Sequence, residues 1–478
     1  MLKKLLSGLF WVLLLNLLIK PFWILGIEVG VQNAVGAEEY GLYTAIFNLA
    51  YIFNILLDFG VTSFNTRNIA QHPALIQKHL SGILCIKIML LGLYLVVTFA
   101  AGLLLGYGSR QFYLLLFLSI NQFLNSFILY LRSNFEGLLL FRWDSVISIL
   151  DRAIMIVICG ALLWLPRHPS FCIEYFVYAQ TAAYLITAAT ALLVLVRKTG
   201  LKRLRFKKAF TLAILKQSAP FALLVLLMAS YNRIDPILLQ RLAPDGNYQS
   251  GIYASAFRLL EALTMISYLV SVPLLPILSK IVKGEMQSLP SVIRLVTVLM
   301  LVYSAGAAIT LASMDGQLME LLYVEHTDAS AAVFRVLVFG IVPISMTYVF
   351  GTLLTAGGQL FKLNILATIT LAVNIVVNLI AIPRYGALGS AWASLIAQSF
   401  MAIAQTILAC RIYRLRPRWR LVGGMALFVL LIAGLNVLLA GQAWWLHLLL
   451  MVAASILIPI ILRIININEI KQILQTNE

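Results

Sequence analysis

Charge is scarce in this chain, and negative charge is scarcest. Asp and Glu number 18 of 478 residues against 35 Lys and Arg, so only 11% of the sequence is charged. An ordinary soluble domain carries about 25%. Cysteine and histidine are sparse too, at four and five. Cys85, Cys159, Cys172 and Cys410 are scattered with no ligand-like spacing and read as small core hydrophobes. His72, His79, His168, His326 and His447 fall at predicted helix ends or loops. The sequence has no phosphate-cradling glycine loop, no metal-ligand cluster and no nucleophile–base pair. These absences speak against an enzyme, a metal or cofactor requirement and a nucleotide-driven pump. Energy is then expected from an Na+ or H+ gradient, the membrane potential or a partner. No connecting segment is long enough to fold as a soluble catalytic domain.

What the chain has instead is apolar length. Hydrophobic residues make up 62% of it, and mean hydropathy is +0.97. A spanning helix needs roughly 20 apolar residues, and about fourteen such segments can be read. They lie near 8–33, 41–62, 80–105, 111–131, 144–165, 171–196, 212–240, 249–278, 290–312, 331–356, 361–382, 387–410, 421–440 and 443–465. Membrane β-strands would alternate strictly over about ten residues. The run from Ile88 to Leu105 does not alternate, so the expected fold class is an all-α integral membrane protein.

The net charge of +17 does not point to nucleic acid, because of where the charge sits. With Lys3 and Lys4 cytoplasmic, most Lys and Arg fall in cytoplasmic loops, as the positive-inside rule requires. An even number of spans and two cytoplasmic termini follow. The densest basic runs, Arg197 to Lys208 and Arg411 to Arg420, both land inside. Two readings of them stand: they fix topology against anionic headgroups, or they recruit substrate. The amino terminus imitates a signal peptide, but its apolar run is too long and contains Lys20 and Glu28. It is read as the first span.

The halves of the chain echo each other. "YGLYTAIFNL" (Tyr40 to Leu49) matches "SGIYASAFRL" (Ser250 to Leu259), and in both a Gly-x-Tyr opens the second helix of its half. This suggests two six-helix lobes in parallel orientation, 1–196 and 212–410, with a transport site between them. The basic segment 197–211 joins them as a cytoplasmic linker. Spans at 421–465 lie outside the repeat and are expected to be peripheral, followed by a cytoplasmic tail, 466–478.

Charge at mid-bilayer costs roughly 2.5–3.5 kcal/mol on insertion scales and normally faces a partner or a wet cavity. Here Lys20, Glu28, Asp58, Lys87, Asp151, Arg152, Arg233, Asp235, Arg258 and Glu261 all lie within predicted spans. The cations Lys20, Lys87, Arg152, Arg233 and Arg258 are candidate ligands for an anionic substrate. Asp235, Glu261, Asp58 and Glu28 are candidates for coupling, and Pro21 for a kink in the first helix. Arg258 and Glu261, three apart, can also simply neutralise each other. Polar pairs share helical faces: Asn54 with Asp58, Asn121 with Asn125, Asn374 with Asn378. Such faces either line a cavity or glue helices together. Pro273 and Pro276 are expected to break the end of the eighth span. The stretch from Ser313 to Ser330 reads as a solvated acidic loop.

Five segments carry a family likeness in order and spacing. They are "GAEEYGLYTAIFNLAYIFNILLDFGV" (Gly36 to Val61), "RIDPILL" (Arg233 to Leu239), "GIYASAFRLLEAL" (Gly251 to Leu263), "VPLLPILSK" (Val272 to Lys280) and "NIVVNLIAIPRYGALGSAWASLIAQ" (Asn374 to Gln398). With them the chain resembles the O-antigen and polysaccharide-lipid flippases of the multidrug/oligosaccharidyl-lipid/polysaccharide (MOP) exporter superfamily. The resemblance implies two six-helix lobes around a cavity that opens alternately to each face. It implies an oligosaccharide on undecaprenyl diphosphate, moved from the inner to the outer leaflet of a bacterial inner membrane, with cavity cations on the diphosphate. It also implies polysaccharide polymerase and chain-length partners. Arg233 and Arg258 lie in matching motifs; Lys20, Lys87 and Arg152 rest on burial alone. The alternatives are a cation-coupled drug exporter of the same superfamily and a membrane polysaccharide polymerase or ligase.

Overall fold

The structure, a computed structural model, describes residues 19, 22–62, 65, 69, 76–138, 140–164, 171–200, 208–284, 286–415, 419–462 and 464. Lys20, Pro21, residues 201–207 of the basic linker and the tail 466–478 lie outside the described residues. Among the described residues every element is helical: a π-helical segment Trp23–Glu28, α1 Val29–Ile52, a 3₁₀ segment Phe53–Leu57, α2 Ile76–Leu104, α3 Ser109–Gly137, α4 Phe141–Trp164, α5 Ile173–Thr199, α6 Lys208–Arg233, α7 Asp235–Leu242, α8 Gly246–Gly284, α9 Leu289–Ala312, α10 Asp315–Leu322, α11 Thr327–Leu337, α12 Ile341–Ala356, α13 Leu360–Tyr413, α14 Trp419–Leu438 and α15 Trp444–Ile461. Only helices satisfy the backbone within each segment, which is what hydrocarbon demands.

Eleven of these helices are long and apolar enough to cross a membrane, or twelve if the bent pair Phe221–Arg233 and Asp235–Leu242 is one span. Two of them are divided by a glycine. Gly36 leaves the helix at φ 83 and ψ 166, and Gly386 does so at φ 54 and ψ −131. Both conformations favour glycine. With these divisions the described helices agree with an all-α membrane protein of about fourteen spans; the start of the first expected span, 8–18, lies outside the described residues.

Two local expectations fail. Helix α8 runs unbroken through Pro273 and Pro276; proline in a membrane helix is tolerated where neighbours satisfy the freed carbonyls. The acidic stretch after Ser313 is mostly helix, as α10 and the start of α11. Its Asp315 is buried and accepts from Arg335 Nε at 2.7 Å.

Contacts divide the chain into two compact units, Met1–Ala254 and Ser255–Glu478. In the first, Tyr43, Ile46, Leu114, Leu118, Phe176 and Val177 form one core cluster, and Ile86, Leu131, Phe135, Ile147 and Leu195 a second. In the second unit, α14 and α15 pack on α9 through Phe428, Ile432, Met451, Val298 and Val302. Outward faces stay apolar: Val96 is 69% exposed, Leu104 90% and Leu430 68%. These faces suit lipid rather than water.

Two ion pairs of the first unit differ in burial, and their removal separates them. Arg110 sits at the start of α3 and donates to both Glu39 and Glu174, with half its side chain exposed. Arg132 donates through Nε to Asp144 at 2.7 Å and through Nη2 at 3.2 Å, and Asp144 is buried. Arg132→Ala leaves a buried carboxylate unpaired and is expected to cost about 3–5 kcal/mol. Arg110→Ala is expected to cost under about 1 kcal/mol. Thermal unfolding of the detergent-purified variants checks the order.

Candidate functional site

Four constellations of intramembrane polar side chains emerge. The first is a broken span. Helix α6 ends at Arg233, and the chain resumes as α7 at Asp235 with a 47° bend between the two. Pro236, in the first turn of α7, has no N–H to give the carbonyl of Asn232, so the helix cannot continue straight. The charges match the two exposed helix ends. Arg233 occupies the last turn of α6, where the macrodipole is negative. Asp235 occupies the first turn of α7, where it is positive. Asp235 is fully buried and accepts from the Tyr253 hydroxyl at 2.8 Å. The Arg233 guanidinium lies over the Tyr51 ring, 4.9 Å from its centroid.

The second constellation joins the first span to α4 and α5. The π-helical winding brings Trp23 and Glu28 together, with Trp23 Nε1 donating to Glu28 Oε1 at 3.0 Å. Arg152 donates to Asp151 at 2.5 Å and to the Tyr184 hydroxyl at 3.3 Å. Its guanidinium lies 6.0 Å from the Trp23 ring centroid. Beside it, Gln180 Nε2 donates to the Tyr43 hydroxyl at 2.8 Å. Single-turn π insertions frequently mark functional sites in helices.

The third constellation brings Lys87 to Asp58. The ammonium is buried, and Nζ stands 2.7 Å from Asp58 Oδ1 and 2.9 Å from Ser126 Oγ. Two residues expected in separate roles, substrate binding and coupling, are therefore one ion pair.

The fourth is in the second unit. Arg258 is buried, and its Nη1 donates to the Tyr323 hydroxyl at 3.5 Å. That hydroxyl donates to Ser255 O at 3.4 Å, and Ser255 Oγ to Ser330 Oγ at 2.9 Å. Glu261 is half-buried on the same helix. Further along, Asn378 Nδ2 reaches Asn374 Oδ1 at 3.0 Å, and Ser390 Oγ donates to Asn378 Oδ1 at 2.9 Å. This ties together the two halves of α13 across Gly386.

The repeated Gly-x-Tyr motif forms a contact of its own within the first unit. A Cβ on Gly41 would overlap the backbone of Asn247 and Gly251, and one on Gly251 would overlap the backbone of Ala37. Ala37 stands to Gly251 as Asn247 stands to Gly41, so the crossing is nearly two-fold. Ser250 Oγ donates to Gly41 O at 3.2 Å, and Gln32 Nε2 donates to Gly251 O at 3.1 Å.

Reading the sequence missed Ser126, Tyr184, Trp23, Tyr51 and Tyr323. Only Ser126 left a signal: Ser119, Gln122, Ser126 and Ser133 recur at helical spacing and are all buried on α3. Among the described residues no group of three or more His, Cys, Asp or Glu could hold a metal ion.

Residues 5–282 match the family described as "Polysaccharide biosynthesis protein". Solved structures share the fold. A lipid II flippase, MurJ, in an inward closed conformation aligns with a TM-score of 0.67 at 14% identity, over 94% of this chain and 98% of that one. An inward-facing multidrug resistance MATE family transporter of the MOP superfamily aligns with 0.64 at 14% identity, over 82% and 94%. A mutant of a Vibrio cholerae MATE transporter, VcmN, aligns with 0.58 at 15% identity, over 86% and 97%. No curated protein sequence matches.

Proposed function

The chain belongs to the polysaccharide biosynthesis protein family, and from that premise we propose that it is a flippase for oligosaccharide repeat units on undecaprenyl diphosphate. It carries them from the inner to the outer leaflet of a bacterial inner membrane, by alternating access, for O-antigen, capsule or related surface polysaccharide. Both termini are cytoplasmic on this reading, and a polymerase and a chain-length regulator take over the product.

The observation that carries this reading is the broken seventh span. Discontinuous helices in transporters offer their ends to charged cargo. Here the break presents a guanidinium, the side chain best matched to phosphate because its planar fork binds two oxygens at once. Arg233 is the proposed first ligand of the diphosphate, and the face of the Tyr51 ring is the seat that positions it. Arg258, Arg152 and Lys20 are proposed as further cationic contacts along the path. Asp235, Glu261 and Glu28 are proposed to carry a proton or Na+ that resets the carrier once the headgroup leaves.

A sugar diphosphate cannot cross hydrocarbon bare, since each unpaired polar group loses several kcal/mol there. Cations on the carrier replace the water the phosphates give up. With the cytoplasm negative, outward movement of two negative charges is favoured by roughly 4–5 kcal/mol per 100 mV, at about 2.3 per charge. The potential alone then biases export. In proteoliposomes holding a fluorescent undecaprenyl-diphosphate oligosaccharide, a potential negative on the loading side should speed flipping severalfold. Flipping that ignores both potential and pH gradient removes the coupling. No flipping of this lipid, with transport of small organic cations instead, favours a drug exporter.

A further inference from the structure

The second span breaks inside the first unit, and the break is closed by a side chain from another helix. After Ile52 the chain tightens into the 3₁₀ segment, then turns through Asp58, Phe59 and Gly60. Phe59 has φ 46 and Gly60 φ 78. Such a turn leaves the Leu57 carbonyl without its helical donor in a setting with little water.

Four oxygens converge there on Lys87 Nζ. They are Asp58 Oδ1 at 2.7 Å, Leu57 O at 2.9 Å, Ser126 Oγ at 2.9 Å and Ser126 O at 3.5 Å. The Tyr130 ring adds its face, 6.0 Å from Nζ. The three short contacts match the three N–H donors of an ammonium. Asp58 also accepts from the backbone N–H and hydroxyl of Thr62, which caps the turn that follows. The wall behind the break is held on both sides. Asn54 donates to Gln122 at 2.5 Å before it, and Asn65 to Ser133 at 2.8 Å after it.

Peptide carbonyls, a carboxylate and a hydroxyl, gathered around one point, are the ligands a bare monovalent cation takes in place of its hydration shell. We propose that the Lys87 ammonium is a tethered monovalent cation: it fills an oxygen cage at the break in the second span, and its removal leaves a site for a free cation of potassium size. The cage therefore carries its own cation. It does not exchange ions during transport, and Lys87 is a positioning residue that fixes the bent second span, leaving substrate to other cations. Asp58, at 23% side-chain exposure against 1% for Lys87, is the side from which a free cation enters.

The test uses the full-length protein in detergent. Lys87→Ala removes three methylenes and the ammonium, and n-propylammonium supplies both. Unfolding midpoints are compared in n-propylammonium, potassium and choline chlorides at equal ionic strength. Lys87→Ala should rise by about 5 °C or more in propylammonium or potassium over choline, as expected when a ligand binds only the folded state. Wild type should be indifferent. An equal response in wild type and variant, or none in the variant, overturns the proposal. Should Lys87→Ala not accumulate, membrane levels of Lys87→Met and of Lys87→Met/Asp58→Asn decide. Recovery of the double variant supports charge compensation in the cage; equal loss of both overturns it. Neither readout involves export, so the flippase reading stands or falls separately.

Discussion

Gly251→Val is expected to abolish surface polysaccharide while the protein still reaches the membrane. The reason is that its hydrogen atom is replaced against backbone, which cannot rotate away as a side chain does. A first carbon on Gly251 already overlaps the Ala37 carbonyl, and one on Gly41 overlaps that of Asn247. Overpacking a flexible core costs typically about 1–3 kcal/mol, and overlap with a helix backbone exceeds that. The crossing must therefore open. On the proposed topology, with both termini inside, this crossing lies at the outer ends of the second and eighth spans. A carrier that cannot close there loses the alternation that transport needs. Gly41→Ala should lower export at least tenfold, and Gly251→Val should remove it. Ser250, buried in the wild type, supplies a second readout. As Ser250→Cys it should resist a membrane-impermeant maleimide alone and react when combined with Gly41→Ala. Normal export from Gly251→Val, or labelling that ignores Gly41→Ala, would show that the close approach is packing alone.

The second large effect is expected at Arg233. Arg233→Ala should cut export by tenfold or more without lowering the amount of protein, because this guanidinium sits at a helix break against a ring face rather than deep in a packed core. Arg233→Lys keeps the charge but loses the planar fork and most of the contact with Tyr51, so it should export weakly. Tyr51→Ala removes a cation–π contact worth about 0.5–2 kcal/mol and should fall between the two. Arg258→Ala is the contrast. Its side chain is buried against Tyr323, so its loss should lower stability as well as transport. Full export from Arg233→Ala would end the assignment of the diphosphate to the seventh span.

Part of this was legible in the residues. The break of the seventh span has a local cause, since Pro236 follows Asp235 and proline's missing N–H acts on its own helix. Gly36 and Gly386 lie where the apolar length divides, and a positive φ at glycine is a local property. The turn at Asp58–Gly60 was not legible: Asn54 through Thr62 reads as unbroken helix. The group that meets the turn is the ammonium of Lys87, 29 residues away. The aromatic seats of Arg233 and Arg152 were hidden for the same kind of reason. Tyr51 and Trp23 look like any lipid-facing aromatic until a neighbouring helix brings a cation over the ring.

Hydropathy is a property of short windows of sequence, and the cost of leaving backbone unpaired in lipid is the same everywhere along the chain. The residues by themselves therefore decided that this protein crosses the membrane some fourteen times as helices. Which charge meets which depends on how each helix is rotated about its axis and which neighbour it touches. Apolar faces pack on lipid and on one another with nearly equal ease, so composition does not choose. Close contacts such as Gly41 on Gly251, and the ring of oxygens around Lys87, made that choice in three dimensions.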